Sequence, residues 1–265
     1  MEPRTSSKDI DPAATIEANL LGWRQVFERF PGGRSDEAAG CVRWMSSVPL
    51  PLFNGVIGTP VGTDIGAAIG TVLEPFDADG IPILWVLPTN DPAIVSILQT
   101  RGFHTNEAPG MTIDLSDRPA LQRPAGTSIE EVDGSPDALR DAATIALTTN
   151  GLPDAGVDPY LDALGRLPDR TMLRTFLAIR GGEPVATSTL IVAAGVAGLY
   201  NVGTVPEARR TGLGRLVSIA AMAAGRESGS LVGVLQSSPL GEPIYRAIGF
   251  EQRCTFTFAT RMPAA

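Results

Sequence analysis

Cysteine and histidine are scarce in this chain of 265 residues, and their scarcity excludes several kinds of site. The two cysteines, Cys41 and Cys254, are too few and too far apart in sequence for a disulfide framework or a thiolate metal cluster. The single histidine, His104, would have to serve alone in a Ser-His-Asp triad or a histidine-ligated zinc site. We therefore expect no bound metal, and two cysteines that are small buried apolar residues in a reducing compartment.

Basic residues are also in the minority, with 21 Lys and Arg against 29 Asp and Glu and a formal net charge of -8. This acidic balance argues against nonspecific binding to nucleic acid or to an anionic membrane. An acidic surface attracts a cationic acceptor such as an amine, although solubility alone is a sufficient reason for it.

Charged residues are absent from residues 184–206, a stretch long enough to raise the question of a membrane span. Gly195 and Gly198 interrupt the stretch, and its β-branched residues are typical of strands. We interpret it as two buried strands joined by a turn near Ala194 and Gly195. Because residues 1–15 lack the apolar core of a signal peptide, we expect a cytoplasmic protein with no membrane segment.

A polar segment at residues 116–126 contains two prolines and divides the chain. We predict one domain at residues 1–118 and a second at residues 126–265. In the second domain, apolar periodicity and turn residues predict a regular order of elements. Strands are predicted at 127–132, 174–179, twice between 184 and 205, at 231–236 and at 252–259, and helices at 137–148, 158–167, 213–228 and 243–249.

The first domain has a weaker pattern: an amphipathic helix at 16–30, strand-like runs near 56–57 and 81–86, and a helix that begins at Asp91-Pro92. That last helix ends at Gly102-Phe103, which resembles the Gly249-Phe250 ending in the second domain. Leu98 then occupies the place of Tyr245. We interpret the first domain as a degenerate copy of the second, with chance similarity of two helix ends as the alternative.

A glycine-rich helix start follows an apolar strand at residues 205–216, with the sequence VPEARRTGLGRL. The backbone N–H groups at a helix N-terminus are free to bind an anion, and the helix dipole adds partial positive charge. Glycine at 212 and 214 lets a phosphate approach the backbone, and Arg209, Arg210 and Arg215 add charge. The motif lacks the Lys-Ser/Thr of a P-loop, so an ordinary glycine-rich turn remains an alternative.

A second motif lies at residues 235–250, with the sequence LQSSPLGEPIYRAIGF. A strand ends, small residues follow, and a short helix carries Tyr245 before it stops at Gly249. A phenol has a reference pKa of about 10, so it is protonated at neutral pH and can donate to a developing anion. The alternative for a single tyrosine on a helix is a packed aromatic residue.

Taken together, Arg-x-x-Gly-x-Gly, a helix, a strand and Tyr-x-x-x-Gly-Phe resemble the GCN5-related N-acetyltransferase (GNAT) superfamily. The order of predicted elements over residues 127–259 is similar to that fold as well. The resemblance implies a mixed α/β fold, with a central mixed β-sheet flanked by helices. With the first domain interpreted as a copy, the chain would hold two GNAT-like domains, the first degenerate.

The resemblance also implies acetyl-CoA as the cosubstrate and assigns its contacts. The strand ending at Val205 would pair with the pantetheine arm, and the amides of residues 210–215 would hold the pyrophosphate. Ser238 stands where many members of the family have an asparagine, and Tyr245 matches the tyrosine that protonates the departing thiolate. The implied contacts are Thr204, Val205, Arg209, Arg210, Thr211, Gly212, Leu213, Gly214, Arg215 and Ser238, with Tyr245 as the catalytic acid.

The implied reaction is transfer of the acetyl group directly to an amine of a small molecule or peptide. We also consider that the protein forms a homodimer. The family usually places a carboxylate on the central strands to deprotonate the amine, but residues 198–205 contain Tyr200 and Asn201 and no Asp or Glu. Glu242 is better explained as a surface acid at a helix start. A water chain or a carboxylate from the first domain remains open as the base.

A noncatalytic acyl-CoA-binding regulatory module is the alternative function. The missing carboxylate favours the module, whereas Tyr245 in its Gly-Phe context favours the enzyme. The aromatic residues of the first domain could line an acceptor pocket, although packing in the core is the simpler role for most of them. These residues are Trp23, Trp44, Phe53 and Trp85.

Overall fold

The computed structural model describes residues 11–116, 124–167 and 171–263. Most of the predicted boundary at 116–126, and the first ten residues of the predicted polar N-terminus, lie outside these ranges.

Eleven strands within the described ranges form one mixed sheet, and helices cover both of its faces. The strands are β1 (Arg34–Ala38), β2 (Cys41–Met45), β3 (Gly55–Ile57), β4 (Ile83–Leu87), β5 (His104–Asp114), β6 (Thr127–Glu131), β7 (Leu173–Arg180), β8 (Glu183–Ala193), β9 (Val196–Thr204), β10 (Val232–Gln236) and β11 (Glu251–Arg261). The helices are α1 (Pro12–Leu20), α2 (Arg24–Phe27), α3 (Ile65–Asp79), α4 (Pro92–Thr100), α5 (Pro136–Thr149), α6 (Val157–Gly165), α7 (Leu213–Glu227) and α8 (Glu242–Ile248). The predicted fold class, a mixed α/β protein with a central sheet flanked by helices, is confirmed.

The two halves of the chain exchange their last strands at the centre of the sheet. The strand order is β1-β2-β3-β4-β11-β5-β10-β9-β8-β7-β6. Strand β11 therefore lies between β4 and β5 of the first half, and β5 lies between β11 and β10 of the second half. All of these central pairings are antiparallel. As a result, backbone hydrogen bonds join the two halves into one continuous sheet.

The two halves also present their elements in the same order. Strands β1 to β3, α3, β4, α4 and β5 in the first half correspond to β7 to β9, α7, β10, α8 and β11 in the second. In each half the strand before the long helix pairs in parallel with the strand after it, as β3 with β4 and as β9 with β10. This order agrees with the interpretation of the first half as a degenerate repeat, which remains a prediction.

The elements predicted for the second half match the structure to within a few residues. The charge-free stretch forms β8 and β9, joined by a turn in which Ala194 and Gly195 both have positive φ. Helix α8 ends at Gly249, whose φ of 113° is left-handed and suits a residue without Cβ. No helix in the described ranges is both long enough and apolar enough to cross a bilayer.

The first half differs from its prediction in one helix and several missed elements. The single helix predicted at 16–30 is wrong, because α1 ends at Leu20, a 3-10 turn covers Leu21–Trp23 and α2 follows. At this break Gly22 packs so closely on the β8–β9 hairpin that an added Cβ would lie 2.8 Å from the Cβ of Ala193. Strands β1, β2 and β5 and helix α3 were not predicted.

The core forms layers on the two faces of the sheet. One cluster packs α1, α2, α5 and α6 against strand residues such as Ile57 and Val86. A second cluster packs α3 and α4 against their neighbours Val56 and Trp85, which point to the opposite face because side chains alternate along a strand. Helices α7 and α8 continue this second layer over β5, β9 and β10.

Candidate active site

The start of α7 carries a run of backbone N–H donors that have no partner among the described residues. Arg210 (φ 61°) and Gly212 (φ 83°) are left-handed, and Gly212 is the N-cap residue with no side-chain cap. Within the described ranges, no backbone hydrogen bond is made by the N–H groups of residues 210–215. Consecutive N–H groups in such a turn form a concave site for an anion, and the helix dipole reinforces it.

Gly212 and Gly214 of this motif differ in what an added side chain would meet. An added Cβ at Gly212 would meet no atom within 4 Å, so the left-handed φ, not crowding, is what favours glycine there. An added Cβ at Gly214 would lie 3.5 Å from Thr204 Oγ1 and 3.7 Å from Ile244 Cδ1, which are ordinary contact distances. Gly214 therefore brings the start of α7 close to α8.

The side chains around this turn hold it in shape and add positive charge. Arg209 is exposed, and its Nε donates to the carbonyl of Thr204 at 3.2 Å. The hydroxyl of Thr211 donates to the Ala208 carbonyl at 2.6 Å and accepts from Arg180 Nη2 at 3.3 Å. Arg180, on β7, is a cation beside the turn that the sequence analysis did not single out.

The corresponding helix start in the first half is closed to anions. Helix α3 begins after Asp64, whose carboxylate accepts from the N–H of Ala67 at 3.0 Å. The cap satisfies one of the free donors and places a negative charge where a phosphate would lie. Free N–H groups without a carboxylate cap are thus present at α7 and not at α3.

Strands β9 and β10 separate beyond a short stretch of parallel pairing. They pair only at Gly233 with Ala197 and at Val234 with Gly198, although β9 continues to Thr204. By contrast, β3 and β4 pair along the full length of β3. The edge of β9 that faces β10 therefore has unpaired backbone groups beyond Gly198, where an extended ligand arm can bind as an added strand.

A bulge in β9 coincides with this separation. The register with β8 shifts between Thr187 and Thr189, and Asn201 has a left-handed φ of 51°. The Nδ2 of Asn201 donates to the hydroxyl of Tyr160 at 3.3 Å, which fixes the side chain on the α6 side of the sheet. Bulges bend a strand and re-aim its side chains, and they are frequent beside active sites.

Tyr245 lies on α8 next to the separated strands. Its ring packs edge-on against Phe250 at a centroid distance of 6.0 Å, and its hydroxyl makes no hydrogen bond to a described residue. Burial raises the pKa of Tyr245 to about 12, so the phenol is protonated across the physiological range. Ser238 is exposed before α8, and its Oγ accepts from the N–H of Gly241 at 3.2 Å.

A cleft of about 480 Å³ connects Tyr245 with the interior of the first half. The lining residues are Leu20, Trp23, Phe27, Phe30, Trp44, Leu52, Ile57, Leu84, Val86, Asn106, Glu107 and Ala108 from the first half, and Leu147, Asn150, Tyr160, Leu199, Tyr200, Asn201, Val202, Gln236, Ser237, Ser238, Pro239, Tyr245, Phe258 and Thr260 from the second. The cleft thus brings Ser238 and Tyr245 together. The helix start at residues 209–215 lies outside its lining, adjoining α8 through Gly214 and Ile244.

A family profile described as an acetyltransferase (GNAT) domain matches residues 117–232. This part of the chain is similar to GNAT acetyltransferase domains. The matched range includes the Arg209, Gly212 and Gly214 motif and ends before Ser238 and Tyr245, whose roles depend on the geometry above. No curated protein matches the sequence.

Solved structures with the GNAT fold cover nearly the whole chain. A GCN5-related N-acetyltransferase from Kribbella flavida is 22% identical, with a TM-score of 0.74 and 96% of each chain covered. One from Sphaerobacter thermophilus is 13% identical, with a TM-score of 0.59, over 87% of this chain and 83% of the other. A tandem GNAT protein from the clavulanic acid biosynthesis pathway is 16% identical, with a TM-score of 0.57, over 94% of this chain and 89% of the other. These structures share the fold with this chain.

The inner wall of the cleft is aromatic and is built largely by the first half. Trp44 stacks on Phe27 at a centroid distance of 4.2 Å, and Trp23 meets Tyr200 edge-on at 5.6 Å. Of the aromatic residues singled out in the sequence, Trp23 and Trp44 line the cleft, whereas Phe53 and Trp85 are buried outside its lining.

The orientation of one phenol that lines the cleft, Tyr200, depends on α1. The buried Nδ2 of Asn19 donates to three carbonyls of the β8–β9 hairpin, those of Ile191, Ala193 and Val196. The Oδ1 of Asn19 accepts from the Tyr200 hydroxyl at 2.7 Å, so α1 orients this phenol. Burial raises the pKa of Tyr200, which keeps the phenol neutral.

Two further side chains complete the polar part of the cleft. The Nε2 of Gln236, at the end of β10, is buried and makes no hydrogen bond within the described ranges. Glu107 is the one carboxylate among the described lining residues, and its Oε1 accepts from Asn90 Nδ2 at 2.7 Å. Sequence reasoning could not find Glu107, because β5 was not predicted and its place in the sheet depends on strand exchange.

Proposed function

We propose that this protein transfers the acetyl group of acetyl-CoA directly to an amine of a small molecule or peptide. The observation that carries the proposal is the arrangement around β9 and β10: an anion site at the start of α7, a separation of the two strands, and a half-buried phenol, Tyr245, at the cleft beside them. Each half of the chain has the same order of elements, but only the second has these three features.

The described residues fit acetyl-CoA. The free N–H groups of residues 210–215 suit a pyrophosphate, with Arg180 and Arg209 nearby. The unpaired edge of β9 suits the amides of a pantetheine arm. Within the described ranges, no cluster of His, Cys, Asp and Glu is arranged to hold a metal ion.

When bound, acetyl-CoA supplies an acyl group activated as a thioester. Tyr245 then donates its phenol proton to the sulfur as the C–S bond breaks. Glu107 accepts a proton from the amine, through water, as the N–C bond forms. Glu107 then releases its proton to solvent and Tyr245 regains one from solvent, so the net change moves one proton from the amine to the thiol.

Replacing Tyr245 with Phe tests the general acid. We expect kcat to fall by about 100-fold, because a positioned proton donor contributes on that order, with acetyl-CoA affinity unchanged. Because the pKa of Tyr245 is about 12, ionisation of its phenol should not lower the wild-type rate below about pH 11. Thiol release with a panel of amines gives the rate, and calorimetry gives the affinity. An unchanged kcat in Tyr245→Phe would remove Tyr245 from the mechanism.

A noncatalytic acyl-CoA-binding module is the second candidate, favoured by the absence of Asp and Glu from β9. It predicts tight binding of acetyl-CoA with no thiol release for any acceptor. The same two assays separate it from the enzyme, because binding with turnover for at least one amine excludes the module.

A further inference from the structure

We propose that the acceptor is an amine with an apolar, ring-sized body and no anionic group, and that this body occupies the aromatic end of the cleft. The inference rests on the proposed acyl transfer and adds the chemical class of the acceptor. It follows from which residues form the walls of the cleft and from which charges those walls lack.

The inner end of the cleft offers ring faces and aliphatic side chains. Phe27 stacks on Trp44 at a centroid distance of 4.2 Å and meets Phe30 at 6.1 Å with the rings tilted by 39°. Leu52 and Leu84 also line the space and are only partly buried, so they keep apolar surface open to an occupant. A volume of about 480 Å³ holds a small molecule, and such sites gain most of their affinity from buried apolar area.

The charges of the lining select against an anion. Among the described lining residues there is no Lys, Arg or His, and the one charged side chain is Glu107. A carboxylate or phosphate on the acceptor would therefore be buried without a cationic partner, and burying an unpaired charge is strongly unfavourable. An ammonium group meets no such penalty here, because the one charged lining residue, Glu107, has the opposite sign.

Polar groups also line the cleft on the strands that separate. Tyr200 and Gln236 come from β9 and β10, beside Tyr245, whereas Trp44 and Leu84 come from β2 and β4. An acceptor with its amine directed toward Tyr245 therefore places its body against the first half of the chain. This arrangement gives the first half, which lacks an anion site of its own, the role of acceptor recognition.

Matched amines that differ by one carboxylate test the inference. Binding of 2-phenylethylamine and phenylalanine, and of tryptamine and tryptophan, is measured by calorimetry with CoA present, and kcat/KM by thiol release. We expect the amine without a carboxylate to be favoured at least 100-fold in each pair, because the carboxylate finds no partner. Equal preference, preference for the amino acid, or binding of none of the four would overturn the inference.

An added cation provides the converse test. Leu84→Arg places a guanidinium in the aromatic end and should shrink the preference within each pair by at least tenfold. Val61→Arg is the matched control, because Val61 is 61% exposed and outside the lining, so the same charge there should leave the preference unchanged. If Leu84→Arg does not fold, Leu52→Arg serves the same purpose. A folded variant with an unchanged preference counts against the inference.

The two assays keep this inference separate from the proposed function. Selective binding of apolar amines without thiol release would support the acceptor class and reject acyl transfer. Thiol release with equal use of both members of each pair would support acyl transfer and reject the acceptor class.

Discussion

At the scale of single residues, the candidate site depends on three residues with different roles. Gly212 has the left-handed backbone that the turn needs, Tyr245 is a phenol kept protonated by burial, and Glu107 is a carboxylate in the cleft. The sequence motifs contain the first two. Glu107 lies on β5, a strand that was not predicted. The sequence therefore indicated only that some carboxylate of the first half could serve as the base.

Gly212→Asp is expected to weaken acetyl-CoA binding by at least about tenfold, because the side chain places a negative charge at the helix N-terminus and a Cβ strains the left-handed backbone. Gly80→Asp is a close control. Gly80 also has a left-handed φ, at 60°, and an added Cβ there also meets nothing within 4 Å. Both variants should lose similar stability, about 1 kcal/mol. Calorimetry showing equal affinity in the two variants would contradict the phosphate site.

Glu107→Gln is expected to lower kcat/KM for a basic amine by about 10- to 100-fold through loss of the proton acceptor. Glutamine retains an oxygen that can accept from Asn90, so the loop contact is preserved. The control is Glu242→Gln, since Glu242 accepts from Arg246 at 2.7 Å and lies outside the cleft lining. Thiol-release rates equal in Glu107→Gln and wild type would assign amine deprotonation to water alone.

At the scale of elements, α1 connects the two halves through Asn19. Asn19 lies in the amphipathic helix predicted from the sequence. Because apolar periodicity identifies only apolar positions as buried, it did not predict that this polar side chain is buried. Its four hydrogen bonds reach the β8–β9 hairpin and the Tyr200 hydroxyl. An added Cβ at Gly198 would lie only 1.9 Å from Asn19 Oδ1, which shows how closely the helix approaches the strand.

Asn19→Ala is expected to lower the free energy of unfolding by about 3 kcal/mol, because three buried carbonyls lose their donor. It should also raise KM for the acceptor, since Tyr200 loses its partner. Asn54→Ala is the control: Asn54 is equally buried and bonds Ser46, Val48 and Leu50 within the first half. Denaturant unfolding should show a loss in both variants. Acceptor KM should change only for Asn19→Ala, and a change of the same size in both would make the role of Asn19 purely structural.

Elements of the second half could be predicted because each has local signals. Ser135-Pro136 starts α5, Gly249 stops α8, and the uncharged β8 and β9 read as buried strands. Strand β5 has weak local signals: its first four residues are polar and Pro109 interrupts it. Tertiary pairing on both edges makes it a strand, and such pairing is not visible in a single sequence.

At the scale of the whole molecule, strand exchange makes the two halves interdependent. Without the first half, β10 loses its pairing with β5, and β11 loses its pairings with both β4 and β5. The predicted domains, residues 1–118 and 126–265, are therefore separate in sequence but joined in the structure by backbone hydrogen bonds between their central strands. The cleft crosses it too, because each half contributes lining residues.

Separate expression of residues 1–123 and 124–265 tests this interdependence. We expect each fragment alone to be unfolded or aggregated, because the exposed edges of long strands pair with other chains. Co-expression should restore a 1:1 complex that melts cooperatively and binds acetyl-CoA. Circular dichroism, size exclusion and calorimetry check the fragments against the intact chain, which contains the same residues. The expectation is contradicted if the 124–265 fragment is monomeric and has the stability and acetyl-CoA affinity of the intact chain. That result would show that β11 folds without pairing to β4 and β5, and that the first half contributes only acceptor contacts.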